Sequence, residues 1–120
     1  MITDAVQASG LSNYKYRIGA AIYDKRGRLL SLGHNQKKTH PTQLRYATRA
    51  GRPSKVFLHA EISALVKCRG EPYSISVVRV SKTGLRNAYP CPICMAAILE
   101  AGIKKLVWTG PDGSINERLL

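Results

Sequence analysis

The sequence predicts one α/β domain spanning residues 1–120, a mixed β-sheet flanked by helices, on three observations. The chain has 120 residues, 44% of them apolar, enough for one hydrophobic core and too few for two. β-branched, alternating runs stand beside segments with apolar residues at helical spacing. In the second half of the chain strands and helices alternate, the order in which parallel pairing through a crossover helix is the economical connection.

The elements follow in order. Thr3 to Gly10 has a cap-like threonine, an acid in the first turn and a glycine stop, which predicts a short helix. Tyr16 to Tyr23 and Leu29 to Gly33 are β-rich, and Asp24-Lys25-Arg26-Gly27-Arg28 between them suits a hairpin turn. Residues 36 to 55 contain Pro41, Gly51 and Pro53 without a sustained period, so they read as a long loop with one helical turn near Leu44-Arg45-Tyr46. From His59 to Cys68, Ile62, Leu65, Val66 and Arg69 fall at helical spacing, and Gly70 and Pro72 end the run. Ile75 to Val80 alternates and is β-branched, a strand. Cys94 to Ala101 is rich in helix formers and closes on Gly102, and Ile103 to Trp108 makes a last strand before the turn at Pro111-Asp112-Gly113.

No run approaches the roughly 20 apolar residues of a membrane span, and the first residues lack a secretory pattern, so a soluble, cytoplasmic protein without membrane contact is expected. Three cysteines, two of them close together at Cys91 and Cys94, argue against a disulfide framework and for thiols kept reduced for a metal. Nineteen basic against seven acidic residues give a formal charge of +12, which favours a polyanionic partner or substrate.

The chemistry concentrates in two short motifs. His59-Ala60-Glu61 begins one predicted helix, and Pro90-Cys91-Pro92-Ile93-Cys94 opens another. A catalytic zinc site uses three protein ligands and leaves the fourth tetrahedral position to water. His59, Cys91 and Cys94 supply that count for one Zn2+ per chain. Both motifs lie at helix N-termini, where the macrodipole favours thiolate. Cys68 is nine residues beyond His59, some 13 Å along a continuous helix at about 1.5 Å per residue, too far to be a fourth ligand; it reads as a buried small hydrophobe. His34 and His40 stay open as further ligands. Glu61, next to the metal but not needed to bind it, reads as the acid/base that moves protons during hydrolysis.

The two motifs in this order resemble the zinc signature of the cytidine and deoxycytidylate deaminase superfamily, and the likeness runs from about Tyr16 to Trp108, including Gly33-His34-Asn35 before the metal helix. The resemblance implies a three-layer cytidine-deaminase-like fold with four to five strands. It also implies a hydrolase acting on the C–N bond of a cyclic amidine. By the same resemblance Asn35 hydrogen-bonds the sugar, and the backbone N–H groups of Ala60 and Cys91 help to hold the base. Relatives often form homo-oligomers whose neighbours close the site. A histidine as first ligand is more similar to the deoxycytidylate, tRNA-adenosine and polynucleotide-editing branches. After Trp108 there is no room for the long C-terminal helix of bacterial tRNA adenosine deaminases, which weakens that reading and leaves a fifth strand in doubt.

For the substrate, the best clue is a stretch without acids between Asp24 and Glu61 that carries Lys25, Arg26, Arg28, Lys37, Lys38, Arg45, Arg49, Arg52 and Lys55. Many cations leading into the metal helix, with Tyr46 and Phe57 as stacking faces, favour cytosine in single-stranded DNA or RNA. Lys37, Lys38, Arg45, Arg49, Arg52 and Lys55 are the expected phosphate contacts. The alternative is a free cytosine nucleotide or nucleoside, whose phosphate needs only two or three cations. Further alternatives are a tRNA adenosine and a zinc-stabilised nucleic-acid-binding module without catalysis.

Overall fold

The computed structural model describes residues 2–12, 16–51 and 57–120. It contains, in chain order, α1 (Thr3–Ser9), β1 (Arg17–Tyr23), β2 (Leu29–His34), α2 (Pro41–Arg49), α3 (Ala60–Lys67), β3 (Ser74–Ser81), β4 (Gly84–Arg86), α4 (Pro92–Glu100), β5 (Lys105–Thr109) and β6 (Ile115–Leu119). The strands form one mixed sheet in the order β2-β1-β3-β5-β6. Only β3 and β5 are parallel, joined by the crossover that contains α4. The short β4 pairs with the last three residues of β3, past the point where β5 stops.

The strand alternation sorts the side chains into layers. Ala20, Ile22, Ile75, Val77 and Leu106 face Ala60, Ala64 and Ile98 of α3 and α4 and make the main core. Ala21 and Val78 face the other way, onto Ala5 of α1. On its outer side α4 packs against α2 through Tyr46, Ala47, Ile93 and Ala97. Two glycines set how closely the helices approach: a Cβ at Gly19 would lie 1.9 Å from the Ala5 carbonyl oxygen, and one at Gly33 would lie 2.3 Å from that of Ala60. Larger residues there would lift α1 and α3 off the sheet.

The predicted three-layer α/β class holds, with differences in detail. The sheet has six strands, not four to five. β4 arises from a tight turn at Lys82-Thr83-Gly84, with Gly84 at φ 122°. β6 arises because Pro111-Asp112-Gly113 reverses the chain onto the open edge of β5. Residues 41–49, expected to be mostly loop, are a nine-residue helix. His40 accepts the Thr42 N–H through Nδ1 and Pro41 occupies the first helical position, both of which favour a helix start. Its buried stripe, Gln43, Tyr46 and Ala47, includes a polar residue and so hides from an apolar count. At the N-terminus Thr3 is not the cap; that position is Ile2, without a side-chain bond. Burial of Ala5 and Ala8 holds α1 in place, and Tyr23 donates its hydroxyl to Asp4 at 2.6 Å. Among the described residues, no helix is long and apolar enough to cross a membrane.

Candidate metal centre

α3 lies across β2 with its start at Gly33 and its middle at Ser31, whose hydroxyl donates to the Ala64 carbonyl at 2.8 Å. Its N-terminus therefore sits where β2 ends and β1 begins. α4 starts on the same side of the sheet, just after the carboxyl end of β3. In a sheet with parallel strands the crevice beyond those carboxyl ends is the usual place for a ligand.

His59 and Cys91 are the N-cap residues of α3 and α4, and both have extended backbone, φ −78° with ψ 156° and φ −67° with ψ 166°. Neither side chain caps its own helix, so each points across the gap between them. Cys94 lies one turn into α4 and is fully buried. His59 Nδ1 is 3.2 Å from Cys94 Sγ and 3.7 Å from Cys91 Sγ, and the three donor atoms all lie within 4.8 Å of one another. Tetrahedral zinc, with bonds of about 2.3 Å to sulfur and about 2.0 Å to nitrogen, requires such donors to be roughly 3.5 Å apart. The cluster thus fits zinc in donor chemistry and in size, with the three protein ligands that a catalytic zinc site uses.

Electrostatics favour a cation there. A hydrogen bond from the Cys94 thiol holds the Cys91 thiol down at about 3, while that bond and burial push Cys94 well above the usual thiol range. The two thiols lie close enough to titrate as a pair. A dication bound between them would favour both as thiolates. The first-turn amides of both helices favour the thiolate form of these cysteines.

Glu61 is only 5% exposed, and burial raises its carboxyl above the usual range, against the opposing pull of hydrogen bonds and of His59. It is bonded to Cys94. This is a carboxylate held dry beside the cluster without belonging to it. A second residue orients the histidine. Gln43, wholly buried on α2, accepts the His59 backbone N–H on its side-chain oxygen at 3.0 Å. No motif singles it out, because a glutamine is informative only once the helix that buries it is known.

The other expected site residues divide. His34, His40 and Cys68 lie outside the cluster found among the described residues; His40 caps α2, and Cys68 packs on the main core. Asn35 accepts the Ile18 N–H at 3.0 Å and donates to the Tyr16 carbonyl at 3.1 Å, which ties the end of β2 to the start of β1 and uses one of its two amide protons. Ala60 is wholly buried under Gly33. Lys37 and Lys38 run beside the metal helix, since Leu58 donates to the Lys38 carbonyl at 2.8 Å. The remaining cations of the acid-free stretch lie elsewhere. Lys25, Arg26 and Arg28 occupy the β1–β2 turn at the opposite edge of the sheet. Arg45 borders a cleft at the C-terminal ends of α3 and α4. Arg49 pairs with Glu100 at 2.9 Å, nine residues along α4 from Cys91 and so about 13 Å from the metal end. Arg52 and Lys55 lie outside the described residues.

Comparison with known proteins agrees with the geometry. Residues 1–109 match the family model described as the cytidine and deoxycytidylate deaminase zinc-binding region. No curated protein matches by sequence. Among solved structures, the fold is similar to that of a cytidine deaminase from Burkholderia pseudomallei, with TM-score 0.70 and 21% identity over 98% of this chain and 88% of that one. It is also similar to a dCMP deaminase from the cyanophage S-TIM5, with TM-score 0.59 and 24% identity over 92% of this chain and 79% of that one. A cytidine deaminase from Mycobacterium tuberculosis gives TM-score 0.58 at 20% identity over 88% and 77%. At these identities the structural likeness is one of fold. The family match spans nearly the whole chain and includes both halves of the His59, Cys91 and Cys94 cluster, and so the chain belongs to the cytidine and deoxycytidylate deaminase family of zinc-dependent hydrolases that cleave a C–N bond.

Proposed function

We propose that this enzyme deaminates cytosine in a free nucleoside or nucleotide, with Glu61 as its acid/base. The observation that carries the reading is the buried Glu61 beside a cluster of three metal donors, the number a catalytic zinc site uses. His59, Cys91 and Cys94 would hold a zinc ion, which when bound would acidify water and so supply the nucleophile at neutral pH. Glu61 accepts the proton released as oxygen attacks C4, and passes it to N3 of the ring. It then takes the proton of the new C4 hydroxyl and delivers it to the exocyclic amine as the C–N bond breaks. Water and the amine become the carbonyl of uracil and ammonia, and the carboxylate is restored. Its dry surroundings suit the task, because burial raises the carboxyl above the usual range and so makes it a better proton acceptor. The backbone N–H groups of Ala60 and Cys91 and the second amide proton of Asn35 are the groups we assign to holding base and sugar.

Two things favour a free substrate over a strand. The cations that suggested a strand-binding groove are dispersed in the fold, with only Lys37 and Lys38 beside the metal helix among the described residues. The similar structures are described as cytidine and dCMP deaminases, and one of the phage enzyme holds dCMP and dUMP. The test is ammonia release from deoxycytidine, cytidine, dCMP, single-stranded DNA and RNA, with Glu61→Gln alongside. Turnover of the small substrates should fall by about 10³-fold or more in the variant while zinc content stays at one per chain. Turnover confined to the strands would refute the free-substrate reading, and an active Glu61→Gln enzyme would refute the role of Glu61.

A further inference from the structure

A second feature shares the metal centre's edge of the sheet and was not visible in the motifs. Tyr16, Arg79, Ser81, Lys82, Thr83, Arg86, Asn87 and Pro111 enclose a cleft of about 500 Å³. Three of these residues are cationic and none is acidic. Arg79 pairs across the sheet with Ile18, the residue whose N–H is bound by Asn35. It follows Ile75 and Val77 on the sheet face covered by α3 and α4. From Asn87, the last cleft residue before α4, only three residues intervene before Cys91. Tyr16 passes its carbonyl to Asn35 while its ring borders the cleft. The cleft thus lies on the metal centre's side of the sheet, lined by the start of β1, the end of β3 and the segment that leads to Cys91.

The cations in the cleft are held in place. The Arg79 guanidinium stacks 4.3 Å from the centre of the Tyr16 ring. Thr109, wholly buried, ties the two arginine segments together: its hydroxyl accepts the Arg79 N–H at 3.3 Å and donates to the Arg86 carbonyl at 2.7 Å. Arg86 is steadied by the Thr83 hydroxyl and the Leu85 carbonyl. The Arg79 Nε is buried and has no acceptor among the described residues. Buried donors are normally satisfied, and one that is not marks a place where an acceptor is to arrive. A fixed guanidinium, a second arginine and a lysine around a small cleft suit an oxyanion with several acceptors, the geometry of a phosphate monoester.

We propose that this cleft receives the 5′-phosphate of a nucleoside monophosphate whose base lies at the metal centre, and that Arg79 and Arg86 make the enzyme select phosphorylated substrates. The proposal rests on the free-substrate reading above and sharpens it, with one phosphate met by Arg79, Arg86 and Lys82.

The test uses the zinc-loaded protein with deoxycytidine, dCMP and a cytosine-containing single-stranded oligonucleotide. The wild type should prefer dCMP over deoxycytidine in kcat/KM by on the order of 100-fold. Arg79→Gln should reduce that ratio by a similar factor, mainly through KM, and Arg79→Lys should restore only part of it because the ammonium lacks the planar fork. Arg86→Gln, on a three-residue edge strand, should shift the ratio in the same sense and serves if Arg79→Gln does not fold. Calorimetry with dUMP, deoxyuridine and inorganic phosphate gives a second readout: wild type should bind dUMP more tightly than deoxyuridine, and Arg79→Gln should lose that difference. Inorganic phosphate alone should bind weakly and compete with dUMP. Equal turnover of deoxycytidine and dCMP, an unmoved ratio in both glutamine variants, or best turnover of the oligonucleotide would overturn the phosphate cleft. Failure to deaminate any cytosine substrate, with dUMP still bound through Arg79, would instead overturn the cytosine reading and leave the cleft standing.

Discussion

Two clefts of almost equal size open at opposite edges of the sheet, one of about 500 Å³ beside the metal centre and one of about 510 Å³ at the β1–β2 turn. Both are rich in cations: Arg79, Lys82 and Arg86 in the first, Lys25, Arg26, Arg28 and Lys104 in the second. They differ in their acids. The far cleft includes Asp24 and Glu71, and Asp24 pairs with Arg28 at 2.8 Å and also accepts two backbone N–H bonds from the turn, which hold its carboxyl below the usual range. The near cleft has no acid in its lining. Cations that meet their counter-charges within the chain complete a turn, whereas cations gathered without them are arranged for a charge from outside. Total charge, +12 here, cannot separate these cases, because only the fold tells which lysines and arginines have company.

The sharpest way to break the comparison is to remove the metal end of the near edge. Cys94→Ala should abolish zinc retention and lower turnover on the order of 10⁴-fold or more, since the site loses the means of acidifying water. Metal analysis and an ammonia assay check both halves. The effect should be reproduced in the wild type by a chelator and reversed by added zinc. Residual zinc with full activity in Cys94→Ala would show that the donor set has been misassigned.

The reaction centre was legible because its chemistry is written in residues close together in sequence. His59 with Glu61, and Cys91 with Cys94, each lie within one helical turn, so helix geometry alone fixes half of each contact. The strands were legible for a similar reason, as alternation in Ile75 to Val80 and the Asp24–Arg28 turn are local signals. What failed to show depends on distant partners. The stripe of α2 includes Gln43, which is buried and accepts the N–H of His59, sixteen residues later. Arg79 stands in a run of β-branched residues and looks like an outward residue until Tyr16 and Arg86 are brought around it. The acid-free stretch misled in the opposite direction. It is continuous in sequence, yet Lys25, Lys37 and Arg49 end up at three different places on the molecule.

α2 itself reaches toward both edges, and so allows the comparison to be made on one helix. Gln43 near its start accepts the His59 N–H, and Arg49 at its end pairs with Glu100. Gln43→Met keeps side-chain volume and removes the acceptor. Zinc affinity, measured by competition with a chelator, should fall about 10-fold or somewhat more, the usual result of losing a group that orients a metal ligand. A buried N–H left without a partner should also lower stability by roughly 1–3 kcal/mol in denaturant unfolding. Unchanged zinc affinity would confine Gln43 to packing α2 against its neighbours.

Arg49→Ala gives the smallest expected effect and the most direct control on the charge argument. Arg49 and Glu100 are each more than half exposed, at 56% and 54%, so solvent screens their attraction and the pair contributes less than about 1 kcal/mol. The guanidinium also lies over the Tyr46 ring, 5.3 Å from its centre, and that contact is likewise exposed. Stability should therefore change little, and the preference for dCMP over deoxycytidine should not move, because the side chain sits at the end of α4 remote from Cys91. If Arg49→Ala instead weakened turnover of dCMP as much as Arg79→Gln, phosphate would have to reach the far end of α4. The acids at one edge would then have ceased to distinguish it from the other, and the acid-free stretch, not the cleft at Arg79, would be the guide to the substrate.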